Sequence, residues 1–314
     1  MMKQRIGIIG LDTSHAPAFT KSFNSEDASP DYGGYKIVAA YPYGSRTIES
    51  SYSRIPGYIE DVRKYGVEIV DSIADLLTKV DVILLCTNDG RLHLEQAIQV
   101  FKAGKRMYID KPIAGALPDA FAIFQAAEDL KQPVFSTSGM RYTTNMDDIV
   151  KNKIVGNVLG AETYGPAPFE PTHPDFFWYG IHGIEALFTM LGTGCHTVSR
   201  VHTPDTDVVI GIWDENRIGT FRGRRSAGRM LYTYGGNAFG QSGIKSMGEY
   251  LGGAALDKEI VKYFQSGISP VAPEVTLEIY TFMEAADESK RRGGASVSMA
   301  ETKQKALAHV KKIW

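Results

Sequence analysis

The first 135 residues alternate short apolar runs with stretches of helical spacing. Residues 6–9, 37–40, 67–70, 82–86, 107–109 and 134–135 are short runs, apolar but for Glu68, that read as buried strands. Between them, "DSIADLL" sets Ser72 three residues before Asp75, a spacing that resembles a capping box, with Ile73, Leu76 and Leu77 on one side. "HLEQAIQVFKAGK" places Leu94, Ala97, Ile98 and Phe101 along one helical face and has Gly104 as its stop. "LPDAFAIFQAAEDL" carries Pro118 near a helix start and Phe121, Phe124 and Ala127 in one stripe. This alternation predicts an α/β, Rossmann-type doubly wound parallel sheet, with ligands at the carboxyl ends of its strands.

After about Ser138 the pattern changes. "YGIHGIEALFTMLG" reads as a helix with Ile184, Leu187, Phe188 and Leu191 on one face. "TVSRV", "DVVIGIWD", "RIGTFRGRR" and "RMLYTYGG" follow as strand-like pieces separated by turns. A late helix, "PEVTLEIYTFMEAADESKR", precedes Gly293-Gly294 and a basic tail of helical character. Two domains are expected: the doubly wound sheet at 1–136, and at 137–314 an α+β domain with a mostly antiparallel sheet. The C-terminal helices of the second domain could pack back on the first.

Composition narrows the class rather than the chemistry. The 314 residues are 43% hydrophobic and 22% charged, as in ordinary globular proteins. A formal charge of -2 gives no bulk reason to expect nucleic acid or an acidic membrane as partner. Cys86 and Cys195 are too few for a disulfide framework, which favours a reducing compartment. The apolar run at the start turns polar by Asp12, too short for a signal peptide, and no run reaches the ~20 residues of a membrane span. A cytoplasmic location is the expectation.

Candidate chemistry begins at "RIGIIGLDTSH". A strand breaks at Gly10, as before a phosphate-binding turn. In a G-x-G-x-x-G fingerprint, however, the second and third glycine places hold Asp12 and His15. Asp12 would either set a carboxylate near two phosphates or turn inward and cap amides of the following helix. Thr13 and Ser14 hydroxyls, with the helix-start amides, could hold an anion, and His15 could add a hydrogen bond or a charge. After the second strand, "AAYPYGSR" has no acid for an adenosine ribose. Ser45 and Arg46 could meet a 2′-phosphate, which leans toward NADP, or be ordinary loop residues. "YIDKP" puts Asp110, Lys111 and Pro112 at a strand end. A partly desolvated lysine there can serve as acid or base or orient a hydroxyl; the alternative is a solvated strand-end lysine before a helix-initiating proline.

In the second half, "PFEPTHPDFFWYGIH" gathers Glu170, His173, Asp175, Trp178, Tyr179 and His182. Carboxylate, imidazole and aromatic faces suit a sugar ring, and the same Pro- and aromatic-rich composition also builds rigid structural loops. Glu170, His173 and His182 are of metal-ligating types, but no recognised zinc spacing is present, and no metal is assigned. Cys195-His196 are neighbours that point apart, unsuited to nucleophile and base. "RGRRSAGR" is too short for a nucleic-acid patch. Arg141 could reach a substrate or form a salt bridge.

The stretch "VDVILLCTNDGRLHLEQAIQVFKAGKRMYIDKPIA" resembles the central segment of the glucose–fructose oxidoreductase, inositol dehydrogenase and MocA (Gfo/Idh/MocA) family. The family's T-P-x-x-x-H-like turn, A-G-K helix end and E-K-P strand end correspond to Thr87 and His93, Ala103-Gly104-Lys105, and Asp110-Lys111-Pro112. "RYTTNMDDIVKNKIVGNVLG" is similar to the opening of the family's second domain, and "YGIHGIEALFTMLG" to its G-x-H-x-x-D helix. The resemblance covers most of the chain in order. It implies an NAD(P)-binding Rossmann domain and a substrate-binding, oligomer-forming second domain. The implied activity is an oxidoreductase acting on a sugar or polyol hydroxyl, as a homo-dimer or homo-tetramer. Lys111 and His182 would be catalytic. Gly10, Thr13, Ser14, His15, Thr87, Asn88, His93 and Asp110 would line the cofactor. Arg141 and the loop from Glu170 to Tyr179 would face substrate.

The departures are specific. The family's Asp four residues before the histidine is Trp178 here, and the acid three residues after it is Glu185. The T-P pair is Thr87-Asn88, with one residue more before His93, and Asp110 replaces a Glu. A sugar- or nucleotide-binding homologue without hydride transfer is the alternative these leave open; a metal-assisted lyase or hydrolase built on the His173/His182 loop is a weaker one.

Overall fold

The computed structural model describes residues 4–225, 233–310 and 313–314. The chain forms two compact units. One comprises Met1–Ser136, Gly253–Ala272 and Ile313–Trp314, the other Thr137–Gly252 and Pro273–Lys312.

In the first unit, β1 (Arg5–Ile9), β2 (Lys36–Tyr41), β3 (Glu68–Ile69), β4 (Val82–Leu85), β5 (Arg106–Ile109) and β6 (Val134–Phe135) make one sheet in the order β3-β2-β1-β4-β5-β6. Every pairing is parallel. Ile6–Ile9 and all of β4 are buried, because helices cover a parallel sheet on both faces. The strand order reverses between β1 and β4, which opens a crevice at their carboxyl ends. Ser72 caps its helix as expected, its side chain accepting from the amide of Asp75 at 3.0 Å. The helix His93–Lys102 is rotated from the expected face: His93, Gln96, Ala97, Val100 and Phe101 are buried, while Leu94 and Ile98 are only half so. Two carbonyl contacts of the His93 ring, described below, set that rotation.

The segment Gly253–Ala272 joins this unit through the helix Ala254–Ser266. Leu256, Ile260, Val261, Tyr263 and Phe264 form its buried face. The Tyr263 hydroxyl donates to the carbonyl of Pro133, and Arg106 Nη1 donates to the carbonyl of Phe264 at 2.5 Å. The 137–314 stretch is therefore interrupted by a piece that completes the first unit's core.

The second unit holds β7 (Val158–Pro166), β8 (Cys195–His202), β9 (Thr206–Trp213), β10 (Ile218–Arg224), β11 (Gly235–Gly240), β12 (Gly243–Ser246) and β13 (Val297–Ser298), in the order β12-β11-β7-β10-β9-β8-β13. β7 and β10 run parallel; the other pairings are antiparallel. The helices Ile181–Leu191 and Pro273–Arg291 cover one face, where Phe188 and Phe282 meet Trp213 at ring separations of 5.1 and 5.8 Å. Gly183 lets the first of these helices sit directly on Phe221. The strand β7 has no apolar run; it alternates inward Ala161, Thr163 and Gly165 with outward Glu162 and Tyr164. The expected strand at 229–236 falls partly outside the described residues, as do residues 226–229 of "RGRRSAGR", and β11 begins at Gly235.

Candidate functional site

The crevice of the first unit is built by three strand ends that stay in register past their last residues. The amides of Gly10, Cys86 and Asp110 donate to the carbonyls of Tyr41, Ile9 and Leu85, each at 2.8 Å. Gly10 has φ +90, and a Cβ there would lie 2.6 Å from the backbone of Thr87. Glycine is required on both counts. Beside it, Thr87 Oγ1 and Asn88 Nδ2 are buried and make no hydrogen bond among the described residues. Native structures rarely leave such groups orphaned unless a ligand supplies the partner. The helix His15–Asn24 follows with no side-chain cap from Ser14 and no acid in its first turn; the amides of His15 and Ala16 donate to Thr13 Oγ1 at 3.4 Å and to the Thr13 carbonyl at 3.2 Å, and Pro17 has no amide hydrogen. These features fit a dinucleotide diphosphate.

Asp12 turns inward. It is fully buried; Oδ1 accepts from the amide of Asn88 at 3.0 Å, and Oδ2 from the hydroxyl of Ser51. Its amide donor lies in the loop after β4, not in the following helix. Burial pushes its pKa up, against the hydrogen bonds of Ser51 and Asn88. Gly44 makes the room, since any side chain there would collide with the carboxylate. The carboxylate therefore knits two loops from below instead of facing the turn. Thr13 is buried and Ser14 exposed.

Ser45 and Arg46 do not converge. Ser45 is buried and its Oγ accepts from the amides of Thr47 and Ile48, both at 3.3 Å, while Arg46 is exposed. The cation that does tie this loop down was not singled out in the sequence: Arg91 Nη2 donates to Thr47 Oγ1 at 2.8 Å and to Asp89 at 2.6 Å.

His15 and Asp110 form a pair, Nδ1 to Oδ2 at 2.5 Å. Burial alone would push the Asp110 carboxyl up. The charge and hydrogen bond of His15, with Lys111 behind them, outweigh it and hold Asp110 at about 2. The amide of Lys111 donates to Asp110 Oδ1 at 2.9 Å, and the Lys111–Pro112 peptide is cis. Burial lowers the Lys111 pKa, Asp110 opposes that and Arg54 adds to it. Such a lysine exchanges its proton more readily than an exposed one. His93, expected at the cofactor, lies beneath these loops with no exposed surface. Its Nε2 is 2.7 Å from the carbonyl of Thr87 and its Nδ1 3.1 Å from that of Ile113.

In the second unit His182 stands on the first turn of the helix Ile181–Leu191, half-buried. Its Nδ1 lies 2.7 Å from Ser138 Oγ, and Tyr179 and Tyr234 flank it edge-on. Ser138 gave no signal in the sequence. Glu185, one turn along, is buried and accepts from Arg141 Nε at 2.9 Å and from the hydroxyl of Thr137. Arg141 thus takes the salt-bridge role rather than standing free. Trp178 packs on His173, ring centroids 5.2 Å apart, and Glu170 accepts from the Thr172 hydroxyl at 3.0 Å.

Asp175 is drawn away from this group. Its carboxylate meets Arg200 Nη2 at 2.7 Å and Lys290 Nζ at 2.8 Å. Arg200 is fully buried; it also bonds Asp207 at 2.8 Å and Asp287 at 2.6 Å, and lies 4.1 Å over the ring of Phe176. The network pins the 169–180 loop to β8 and to the helix Pro273–Arg291. Burial, with Glu278 beside it, pushes the Cys195 thiol up to about 12, and His196 pairs with Asp214 at 2.7 Å. Among the described residues no group of three or more His, Cys, Asp or Glu is placed to hold a metal, and no helix is long and apolar enough to cross a membrane.

Residues 4–138 match the family model described as oxidoreductase family, NAD-binding Rossmann fold. No curated protein gives a match. Among solved structures, scyllo-inositol dehydrogenase from Lactobacillus casei, with bound NAD(H) and scyllo-inositol, is similar at 15% identity and TM-score 0.76, over 95% of this chain and 99% of that one. A probable dehydrogenase from Thermotoga maritima is similar at 20% identity and TM-score 0.74, over 95% and 99%. An oxidoreductase from Agrobacterium radiobacter, in complex with NAD+, L-tartaric acid and magnesium, is similar at 14% and 0.72, over 96% and 99%. At such identities the likeness is one of fold. The Rossmann unit is thus similar by sequence to the Gfo/Idh/MocA oxidoreductase family, and the chain as a whole is similar to these dehydrogenases in fold.

Proposed function

We propose that the protein is an NAD(P)-dependent dehydrogenase of a sugar or polyol CH–OH group. The observation that carries this reading is Lys111, its pKa lowered, beside the His15–Asp110 pair at the carboxyl end of β5 in an NAD-binding fold. Gly10, Thr13, Ser14 and His15 would hold the diphosphate, Thr87, Asn88 and Asp110 the ribose, with Asp12 and His93 bracing their loops from beneath. The nicotinamide, when bound, accepts or donates the hydride. Lys111 orients and polarises the hydroxyl, and His182 takes or returns its proton. Glu170, His173, Trp178 and Tyr179 offer hydrogen bonds and aromatic faces to the ring of the substrate. A neighbour that binds scyllo-inositol supports this class. Arg46, left exposed, is the remaining cation for a 2′-phosphate, so both NAD and NADP belong in the test. We place the protein in the cytoplasm as a homo-dimer or homo-tetramer.

The test is a panel of polyols and aldoses with NAD+ and NADP+, read by absorbance of the reduced cofactor. Lys111→Met should lower turnover about a hundredfold to ten-thousandfold while the Tm stays within about 2 °C. Full activity in that variant removes Lys111 from the reaction. Two observations favour a second reading, a binding homologue without turnover: Glu185 is committed to Arg141, and Trp178 stands where the resembling family has a carboxylate. On that reading cofactor binds and no member of the panel is oxidised.

A further inference from the structure

We infer that Ser138 is the positioning residue for His182, holding the ring by a hydroxyl. The inference rests on the reading of His182 as the group that exchanges a proton with the substrate. Ser138 is 1% exposed, and its Oγ already accepts from the amide of Met140 at 3.1 Å. His182 Nδ1 lies 2.7 Å away; a neutral ring that takes the substrate proton at Nε2 carries its own hydrogen on Nδ1 and donates it to Oγ. When Nε2 gains the proton, Nδ1–H still donates and Oγ still accepts. The contact therefore persists through both protonation states. It orients the ring without supplying charge.

The two positions where the resembling family carries acids, Trp178 and Glu185, are engaged elsewhere. Glu185, on the same helix, is engaged by Arg141 Nε at 2.9 Å and by Thr137, which neutralises it. Trp178 turns its ring onto His173. Tyr179 and Tyr234 contact His182 with ring edges, at centroid distances of 5.9 and 5.6 Å, limiting its tilt. A carboxylate at Nδ1 would in addition stabilise the imidazolium by its charge.

The experiment follows His182 by ¹⁵N NMR across pH in the whole protein, alongside the pH dependence of kcat and KM. Wild type is compared with Ser138→Ala, Ser138→Thr and Ser138→Asp. Ser138→Asp should raise the proton affinity of His182 about tenfold or more and carry the acidic limb of kcat with it. Ser138→Ala should lower kcat about tenfold with KM unchanged, and Ser138→Thr should restore both. If His182→Asn is inactive while Ser138→Ala and Ser138→Asp match wild type in tautomer, titration and kcat, the role of Ser138 is overturned. If His182→Asn keeps full activity, the reading of His182 falls, and the role claimed for Ser138 with it; the NMR titration then reports only whether the two side chains touch.

Discussion

The pair formed by His15 and Asp110 puts a basic side chain where a fingerprint would have its third glycine, and anchors it to the residue before the candidate catalytic lysine. Nδ1 is held by the carboxylate, which leaves Nε2 as the ring atom for a ligand beside an uncapped helix start. Because Asp110 sits at about 2 when folded, against the ordinary 3.8, its contribution to stability is present above pH 4 and lost as pH falls through about 2. Its size is about 2 kcal/mol. Asp110→Asn should lower the urea-derived unfolding free energy by about that amount at pH 7, the difference closing toward pH 2; an unchanged difference across that range would refute the pairing. His15→Ala should weaken NADH binding by about fivefold to tenfold, measured by fluorescence titration. The sequence showed that the residues at 12 and 15 depart from the fingerprint but not how. Whether a carboxylate faces a phosphate or an amide depends on Ser51, Gly44 and Asn88, which are distant in the chain and meet only in the fold.

At the scale of elements, the doubly wound sheet was readable because strands buried on both faces must be apolar throughout. The strand β7 was not, because one of its faces carries Glu162 and Tyr164 and its inward face is small. The face of the helix His93–Lys102 differs from the expected one because a buried histidine, its ring nitrogens set against two carbonyls, counts as polar in any periodicity. Asp175 looked like a substrate contact because its partner Arg200 lies on a strand 25 residues away. Arg200→Met should destabilise the protein by about 3–5 kcal/mol in urea unfolding, since three carboxylates lose their shared cation. Gly10→Ala should cost at least about 2 kcal/mol and abolish cofactor binding. A stable, cofactor-binding Gly10→Ala variant would contradict the close approach of β1 to the loop after β4.

At the scale of the molecule, the outer face of the second sheet leaves Ile244, Phe239, Ile218 and Ile212 in one cross-strand row. Ile218 is 52% exposed and Ile244 67%, a row too apolar for open solvent in a chain of ordinary composition. This face supports the proposed homo-oligomer. Ile212→Glu combined with Ile218→Glu should reduce the sedimenting mass to that of a single chain, and an unchanged mass would remove the face from assembly. The proposed function requires that the altered first turn still hold a dinucleotide. Titration of the wild-type protein with NADH and with NADPH, followed by cofactor fluorescence and thermal shift, tests it most directly. Saturable binding of one or both, with a raised Tm, is the expected result; no response to either up to millimolar concentration would contradict it.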